Sequence, residues 1–594
     1  MASLPAVPSA RLAVGLAQGL VLYLLYQAAK AKAWPATEGL VFAPLLLIAC
    51  FVPLILLNGL GNMRRRTLLA WAGAATVLLA GLAVHDVARL AENGDSSLWT
   101  LFGGRSELRI WPSTVLTFFA AAALFIAQSL IVAGDAERRI VAGYPRYFDT
   151  AWKHGVQLAL SGVFIGLFWA LLVLGAALFK LIDIDFFDKL IQHKWFYFPA
   201  TTLAFACALH VTDARAGIVR GMRVLVHTLL SWLLPLMALF VAGFLATLPF
   251  TGLAPLWGTR FATKLLLTTA VALIVLINAA HQDGQEEHAP PRVLRLAGSL
   301  AALMLVPLVA IAAYALGLRV AQHGWTTDRI IATACVVVAA CYALGYAWAA
   351  IRPGRWLERI EICNVAAAFV VLGVLLALFT PIADPARLSV GSQVARLESG
   401  VVPPEKFDFA YLRFDGARYG RAALERLKAA ETGAQAADIR RRAQAALELK
   451  NRWERERIVL TPQELAANIT VYPAGRVLPE SFLKQNWGAL ARWTLPSCLV
   501  EASHKCEAFL LDLDGDGREE AVFLDPPTLM VVMAEDGHGA WRRAGQFDGP
   551  VHCSAVRDAL RAGKYETAAP TWRDLQVSGL RLRFTQPMDA AKCP

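Results

Sequence analysis

The sequence predicts a polytopic α-helical membrane bundle of about eleven spans followed by a soluble α+β C-terminal domain. Three observations carry that expectation. Apolar residues make up 57% of the 594 and charged residues only 17%, a balance that on a soluble fold would leave large apolar patches in water. The apolar residues fall into runs of about 20, the length a helix needs to cross roughly 30 Å of hydrocarbon, and these runs end near Thr380. From Pro381 onward the text is charged, with short alternating stretches of the kind that form half-buried strands.

In chain order the apolar runs are read at 12–29, 39–59, 67–88, 115–134, 155–180, 195–212, 226–249, 263–280, 294–318, 328–350 and 361–381. The weakest is 195–212, which is short and ends in His210, while 181–194 reads as an interfacial segment. The first run is expected to be an uncleaved helix. Ala31-Lys32-Ala33 has the small-x-small form of a cleavage site, but the apolar stretch is long, Lys30 and Lys32 crowd the site, and the start holds Arg11 alone. Trp152, Trp195, Tyr197, Trp257, Trp325, Trp348 and Trp356 fall at span ends, forming the ring belt expected at headgroup level.

Orientation follows from the basic residues. Connections after the even-numbered spans hold fifteen Lys and Arg, the odd ones twelve. That asymmetry favours a cytoplasmic N-terminus and, with an odd span number, an external tail. Five cysteines (Cys50, Cys207, Cys335, Cys341, Cys363) lie in spans, whereas Cys498, Cys506, Cys553 and Cys593 are all in the tail. An even number in a soluble module reads as two disulfides in an oxidising compartment. Pairing Cys498 with Cys506 and Cys553 with Cys593 closes the shortest loop, with the two other connectivities open. Zinc is disfavoured because no Cys-x-x-Cys spacing occurs. The joint expectation is a bacterial cytoplasmic (inner) membrane with a periplasmic tail, divided into a bundle (1–381), a linker and helical segment (382–460) and a β-rich domain (461–594).

Polar residues within spans are costly and usually face the bundle interior or water. The candidates are Gln128, Asn278, Glu361 and Asn364, with His85, Asp86, His154, Gln157, His210, Asp213, His227 and His281 nearer span ends. Residues near ends are ordinarily satisfied by water and headgroups. Gln128 and Asn364 lie deeper and suit helix-to-helix hydrogen bonds. The chain has no His-Glu-x-x-His, no phosphate loop in a strand-to-helix context and no spaced carboxylates of a proton relay. An ATP-driven transporter in a single chain is therefore not expected.

The tail opens with Pro381-Ile-Ala-Asp-Pro-Ala-Arg-Leu388, whose prolines should stop the last span. Arg421 to about Arg457 has helical periodicity broken near Glu431-Thr-Gly433, and its charges read as a solvated face. The net charge of +11 is explained by arginine-rich loops meeting anionic lipid, so membrane lipids and other envelope proteins are the expected partners and nucleic acid is not. The run Leu376-Ala-Leu-Phe-Thr-Pro-Ile-Ala-Asp-Pro-Ala-Arg-Leu-Ser-Val-Gly-Ser-Gln393, then Glu405-Lys-Phe-Asp-Phe-Ala-Tyr-Leu-Arg-Phe414 and Arg418-Tyr-Gly420, resembles the bacterial multi-pass membrane family known as domain of unknown function 4153. The resemblance implies placement in a membrane and carries no catalytic residues with it.

Between two expected strands lies Asp512-Leu-Asp-Gly-Asp-Gly-Arg-Glu-Glu520. Calcium takes six to eight oxygens from a tight turn. Asp512, Asp514 and Asp516 hold positions one, three and five, Gly517 the bend, the Arg518 carbonyl position seven and Glu520 position nine. Position twelve is Phe523, which excludes an EF-hand. A strand-loop-strand calcium loop fits, and the rival is a solvated acidic turn. With no reaction centre in view, the expectation is a non-catalytic protein of envelope transport, assembly or sensing. The alternative is a membrane-embedded transferase using a lipid-linked donor, for which the outer connection 89–114 supplies Glu92, Asp95 and Glu107 without a paired-acid motif.

Overall fold

The computed structural model describes residues 6–90, 111–214, 216–253, 261–284, 290–352, 356–429, 435–449, 460–487, 495–499, 504–525, 529–537, 539–547, 553–568, 575–577 and 580–582. The acids Glu92, Asp95 and Glu107, and Cys593, lie outside the described residues. The bundle comprises α1 (Ala6–Ala31), α2 (Gly39–Gly59), α3 (Arg65–Leu90), α4 (Thr114–Glu137), α5 (Tyr144–Lys180), α6 (Phe186–Gln192), α7 (Lys194–Ala214), α8 (Ala216–Ser231), α9 (Leu234–Thr251), α10 (Ala262–His281), α11 (Arg292–His323), α12 (Thr327–Ile351) and α13 (Ile360–Leu378). Among the described residues ten helices are long and apolar enough to cross a membrane, and α7, the expected span at 195–212, is not among them.

Packing nevertheless makes α7 an eleventh traverse of the bundle. It runs antiparallel to α1: Asp213 meets Arg11 at one end, and Phe198 meets Tyr26, with ring centroids 5.6 Å apart, near the other. Between these ends the Gly15-x-x-x-Gly19 face of α1 lies directly on α7. A Cβ at Gly15 would sit 2.7 Å from Ala206 Cβ, and one at Gly19 would sit 2.7 Å from the Pro199 nitrogen. Apolar solvent gives helices no hydrophobic reason to associate, so close backbone approach over small residues replaces it. The mixed text of α7, with Thr201, Thr202, His210 and Asp213, reflects a helix facing protein, which is why hydropathy alone undervalues it.

Contacts at the helix ends sort them into two groups. At the Arg11 end, Arg11 bonds the Leu60 carbonyl after α2, Arg64 before α3 pairs with Asp135 of α4, and Trp356 before α13 bonds Arg295 of α11. At the other end, Arg89 of α3 reaches Asp384 after α13, and Ser392 accepts from the Trp325 amide ahead of α12. The two ends of the bundle unit therefore carry the start of α1 and the residues after α13 respectively.

Pro381-Ile-Ala-Asp-Pro does more than stop a helix. Asp384 accepts from the Ala386 amide at 2.9 Å and Pro385 takes the first position of α14 (Pro385–Glu398), where its missing N–H costs nothing and its φ is already helical. The fully buried Asp384 also meets Arg89 at 3.4 Å and His85 at 3.5 Å, while Asp86 accepts from the Ser113 amide and hydroxyl at 2.7 and 3.1 Å. Gln393 and Arg396 of α14 clasp carbonyls at the end of α11. Two short helices follow, α15 (Phe409–Phe414) and α16 (Ala417–Lys428). The chain divides into compact units Met1–Arg426 and Leu427–Pro594, so the segment 382–460 is shared between them: α14 and α15 pack as part of the bundle.

The second unit holds α17 (Ala436–Glu448), α18 (Pro462–Asn468), β1 (Ile469–Tyr472), α19 (Glu480–Lys484), β2 (Cys506–Leu511), β3 (Glu520–Asp525), β4 (Leu529–Glu535), β5 (Trp541–Phe547) and α20 (Ser554–Arg561), then a hairpin of β6 (Leu575–Val577) and β7 (Leu580–Leu582). The five-stranded sheet has order β1-β2-β3-β4-β5, with β1 parallel to β2 and the rest antiparallel. Both faces are covered. Ala508, Phe523, Val531 and Met533 pack with Phe482, Trp487 and Trp541, while Phe509, Val522, Leu524 and Val532 pack with Tyr472 and Leu560. Double-sided burial makes β2, β3 and β4 short apolar runs buried on both faces, where the sequence reading expects alternating, half-buried strands.

Candidate functional site

Four helices bring polar side chains together inside the bundle. Asn278 of α10 donates to the Tyr346 hydroxyl of α12 at 2.6 Å, Tyr346 donates to Asn364 Oδ1 of α13 at 2.6 Å, and Asn364 Nδ2 returns to Asn278 Oδ1 at 2.6 Å. The ring is closed. Asn364 Nδ2 also reaches the Tyr144 hydroxyl of α5 at 3.3 Å, and Tyr144 donates to the Gln282 carbonyl at 3.1 Å. Tyr346 is wholly buried, so its hydroxyl depends on these two amides. Glu361 lies three residues before Asn364 and faces His281 Nε2 at 3.7 Å, and the His281 ring packs between Tyr144 and Trp356. Four residues singled out in the sequence, Asn278, His281, Glu361 and Asn364, thus converge. Tyr144 and Tyr346 were not flagged, because a tyrosine near a span end is ordinarily an interfacial anchor.

Gln128 belongs to a separate contact. It accepts from Trp71 Nε1 at 2.7 Å and donates to Asn58 Oδ1 at 2.8 Å, tying α4 to α3 and α2. Beyond it, at the Arg11 end, lies an ion cluster built around buried Arg11. Arg11 is 2% exposed and meets Asp213 Oδ2 at 2.7 Å, while Lys153 Nζ meets Asp213 Oδ1 at 2.6 Å. Asn62 and Gln157 add donors to the same carboxylate at 3.3 and 3.4 Å. One carboxylate therefore holds two cations and joins α1, the α2–α3 turn, α5 and α7.

At the opposite end, a cavity of about 770 Å³ opens between the start of α10, the end of α11, the start of α12 and the residues leading into α15. Lys264, Arg319, Asp328, Arg329, Asp408 and Tyr411 lie on its wall.

The acidic loop lies in the second unit between β2 and β3. Asp512 accepts from the amides of Gly515 at 2.8 Å and Gly517 at 3.1 Å, which folds the turn, and Gly515 and Gly517 take φ of +78° and +85°, a region natural to glycine. Asp512, Asp514 and Glu520 each present an oxygen within 4.8 Å of one another, a spacing that suits one cation. Asp516 is outside that group of three and accepts from Arg518 N at 2.7 Å within the same loop. Glu520, 8% exposed at the start of β3, accepts from Leu513 N at 2.7 Å. Burial pushes its carboxyl pKa up, the Leu513 amide pulls it partly back, and Asp514 raises it further. At the start of β2, Cys498 and Cys506 form a disulfide, as the sequence expected. Cys553 is also disulfide-bonded, and its expected partner Cys593 lies outside the described residues.

Neither the curated proteins nor the solved structures offer a match. The family model described as Domain of unknown function (DUF4153) matches residues 45–427. That range begins within α2 and takes in the traverses from α3 onward, the α10–α12 cavity, the polar ring and the Asp384 clamp, and stops where the second unit begins. This multi-pass integral membrane protein, of unassigned activity, belongs to the DUF4153 family.

Proposed function

We propose that the protein is a non-catalytic component of a bacterial cytoplasmic membrane that serves envelope transport, assembly or sensing. The observation that carries this reading is the closed ring of Asn278, Tyr346 and Asn364. Its polar atoms are matched to one another, which fixes helix register, and present no nucleophile with an adjoining base of the kind bond-making requires. The N-terminus is taken to be cytoplasmic and the tail periplasmic. The excess of basic residues in the connections at the Arg11 end, fifteen against twelve, supports that orientation, and the Cys498–Cys506 disulfide supports an oxidising compartment for the tail. Calcium is the ion proposed for Asp512, Asp514 and Glu520, with Asp516 and the Arg518 carbonyl completing an oxygen shell, and its role is to brace the β2–β3 turn. Membrane lipids and other envelope proteins are the proposed partners.

The cavity favours a second reading, a transferase acting on a lipid-linked donor, because Asp328 and Asp408 share its wall. Asp408, however, is engaged in accepting from the Tyr411 amide at 2.8 Å at the start of α15. Two measurements decide. Alkaline phosphatase and a fluorescent protein, fused in turn after Pro594, should give an active phosphatase and a dark fluorophore; the reverse pattern rejects the orientation. Purified protein in nanodiscs should leave a lipid-linked sugar donor intact, and turnover lost in Asp328→Asn would replace the non-catalytic reading with the transferase.

A further inference from the structure

We propose that the tail-end cavity receives a phosphate-bearing anion with a polar body attached. The inference concerns what enters the cavity and stands on either reading above.

The wall is basic. Lys264 comes from the first turn of α10, Arg319 from the last turns of α11 and Arg329 from the first turn of α12, against the acids Asp328 and Asp408. Asp408, Arg329 and Lys264 differ in what already holds them. Asp408 is held by the Tyr411 amide, as above, and the Tyr411 hydroxyl lies 3.1 Å from both the amide and the hydroxyl of Thr327. Arg329 donates to the Gly324 carbonyl at 2.7 Å, so its guanidinium is positioned by neutral oxygens that leave its charge intact. Lys264 is placed against the local field. The first turn of α10 contains no acid, and Phe261 before it offers no side-chain cap, so a cation there opposes the positive end of the helix dipole. A local conflict of this kind marks a position kept for something other than stability. An anion between Lys264, Arg319 and Arg329 resolves it, through charge-assisted hydrogen bonds.

Size narrows the class further. Small-molecule sites measure about 300–1,000 Å³, and a cavity of about 770 Å³ is far larger than a bare phosphate needs. Gln322, Gln393 and Asp328, also on the wall, can bond hydroxyls of a glycerol or sugar. The shared chemistry is a phosphate ester, from a lipid headgroup at the membrane surface or from a soluble metabolite.

The test uses the full chain. Thermal stability in detergent is titrated with inorganic pyrophosphate at constant ionic strength, for wild type and for Lys264→Gln with Arg319→Gln, with Lys264→Arg as the charge-preserving control. Native mass spectrometry from nanodiscs compares retention of phosphatidylglycerol with phosphatidylcholine. We expect saturable stabilisation by pyrophosphate, weakened on the order of tenfold in the double variant, as loss of a charge-assisted contact predicts, and preserved in Lys264→Arg. Displacement of pyrophosphate by selectively retained phosphatidylglycerol assigns a lipid source, and binding indifferent to that lipid assigns a soluble one. Absence of saturable binding of either, or equal half-saturation in wild type and a double variant with an unchanged ligand-free melting temperature, overturns the proposal. Should the double variant fail to fold, Lys264→Gln alone is read by the same criteria.

Discussion

Replacing Gly19 by alanine should destabilise the bundle, although alanine is the better helix former. The added Cβ would press on Pro199 Cα and Thr202 Oγ1 and lie 2.7 Å from Pro199 N, where ordinary contact begins at 3.4 Å. Relief therefore requires α1 and α7 to separate by at least the difference, 3.4 − 2.7 = 0.7 Å, and the obstacle is backbone that cannot swing aside. Overpacking of this kind costs about 1–3 kcal/mol, offset by up to about 1 kcal/mol of helix propensity. Separation would also pull Arg11 from Asp213. Gly15→Ala, whose Cβ would lie 2.7 Å from Ala206 Cβ and 3.0 Å from the Thr202 carbonyl oxygen, meets less severe overlap and should be milder. Gly73→Ala of α3, with nothing within 4 Å of its Cβ, should be neutral or stabilising. Unfolding of the three variants by SDS in mixed micelles gives the comparison. A Gly19→Ala protein as stable as Gly73→Ala would refute the close α1–α7 contact, and with it the argument that α7 is a traverse.

Asp213→Ala should be costlier, about 3–5 kcal/mol, because it strands buried Arg11 without its counterion; Arg11→Met in the same chain should recover part of the loss in the same SDS assay, and no recovery would point away from the ion cluster. Calcium at a hundred times its dissociation constant should protect the tail by about 2.7 kcal/mol, read as slower proteolysis of the full chain, and Asp512→Ala with Asp514→Ala should erase the protection; equal cleavage with calcium and with chelator would leave a solvated acidic turn. Arg441 of α17 should make the tail acid-sensitive. Burial alone would raise the Asp438 and Glu464 carboxyls, but hydrogen bonds from Arg442 and Arg441 to Asp438, and from Thr461 and Arg441 to Glu464, outweigh it and hold both below their ordinary values. Depressed folded values contribute stability above the unfolded pKa, about 3.9 for Asp and 4.3 for Glu, that is lost as pH falls through the folded values. Arg441→Gln should therefore lower protease resistance at pH 7, with the deficit shrinking below about pH 4; a deficit independent of pH would assign Arg441 a packing role.

The division into bundle and tail was legible because hydrocarbon demands long apolar runs whatever the partners. The traverse by α7 was harder to see, since a helix packed on protein can carry threonine and histidine that lower its hydropathy. Asn278, Glu361 and Asn364 stood out as polar letters in apolar text, but their meeting depends on pairing across 86 residues for Asn278 with Asn364, which no local pattern encodes. Arg11 illustrates the same limit. Beside a span it looks like an interfacial charge, and only Asp213, 202 residues away, makes it a buried one. In the tail, β2 to β5 followed from short strand-like stretches bounded by turn residues, whereas β1, four residues pairing in parallel with a distant strand, left too short a signal.

The clamp around Asp384 bears on how force would travel through the molecule. A chain leaving a membrane by a flexible tether would transmit a pull to its last helix alone. Here α14 is seated on α3 through Asp384 and on α11 through Gln393 and Arg396, so tension on the chain beyond α14 is spread over several helices at once. The same seating puts Gln393 on the cavity wall, so a shift of α14 under load would alter the cavity directly.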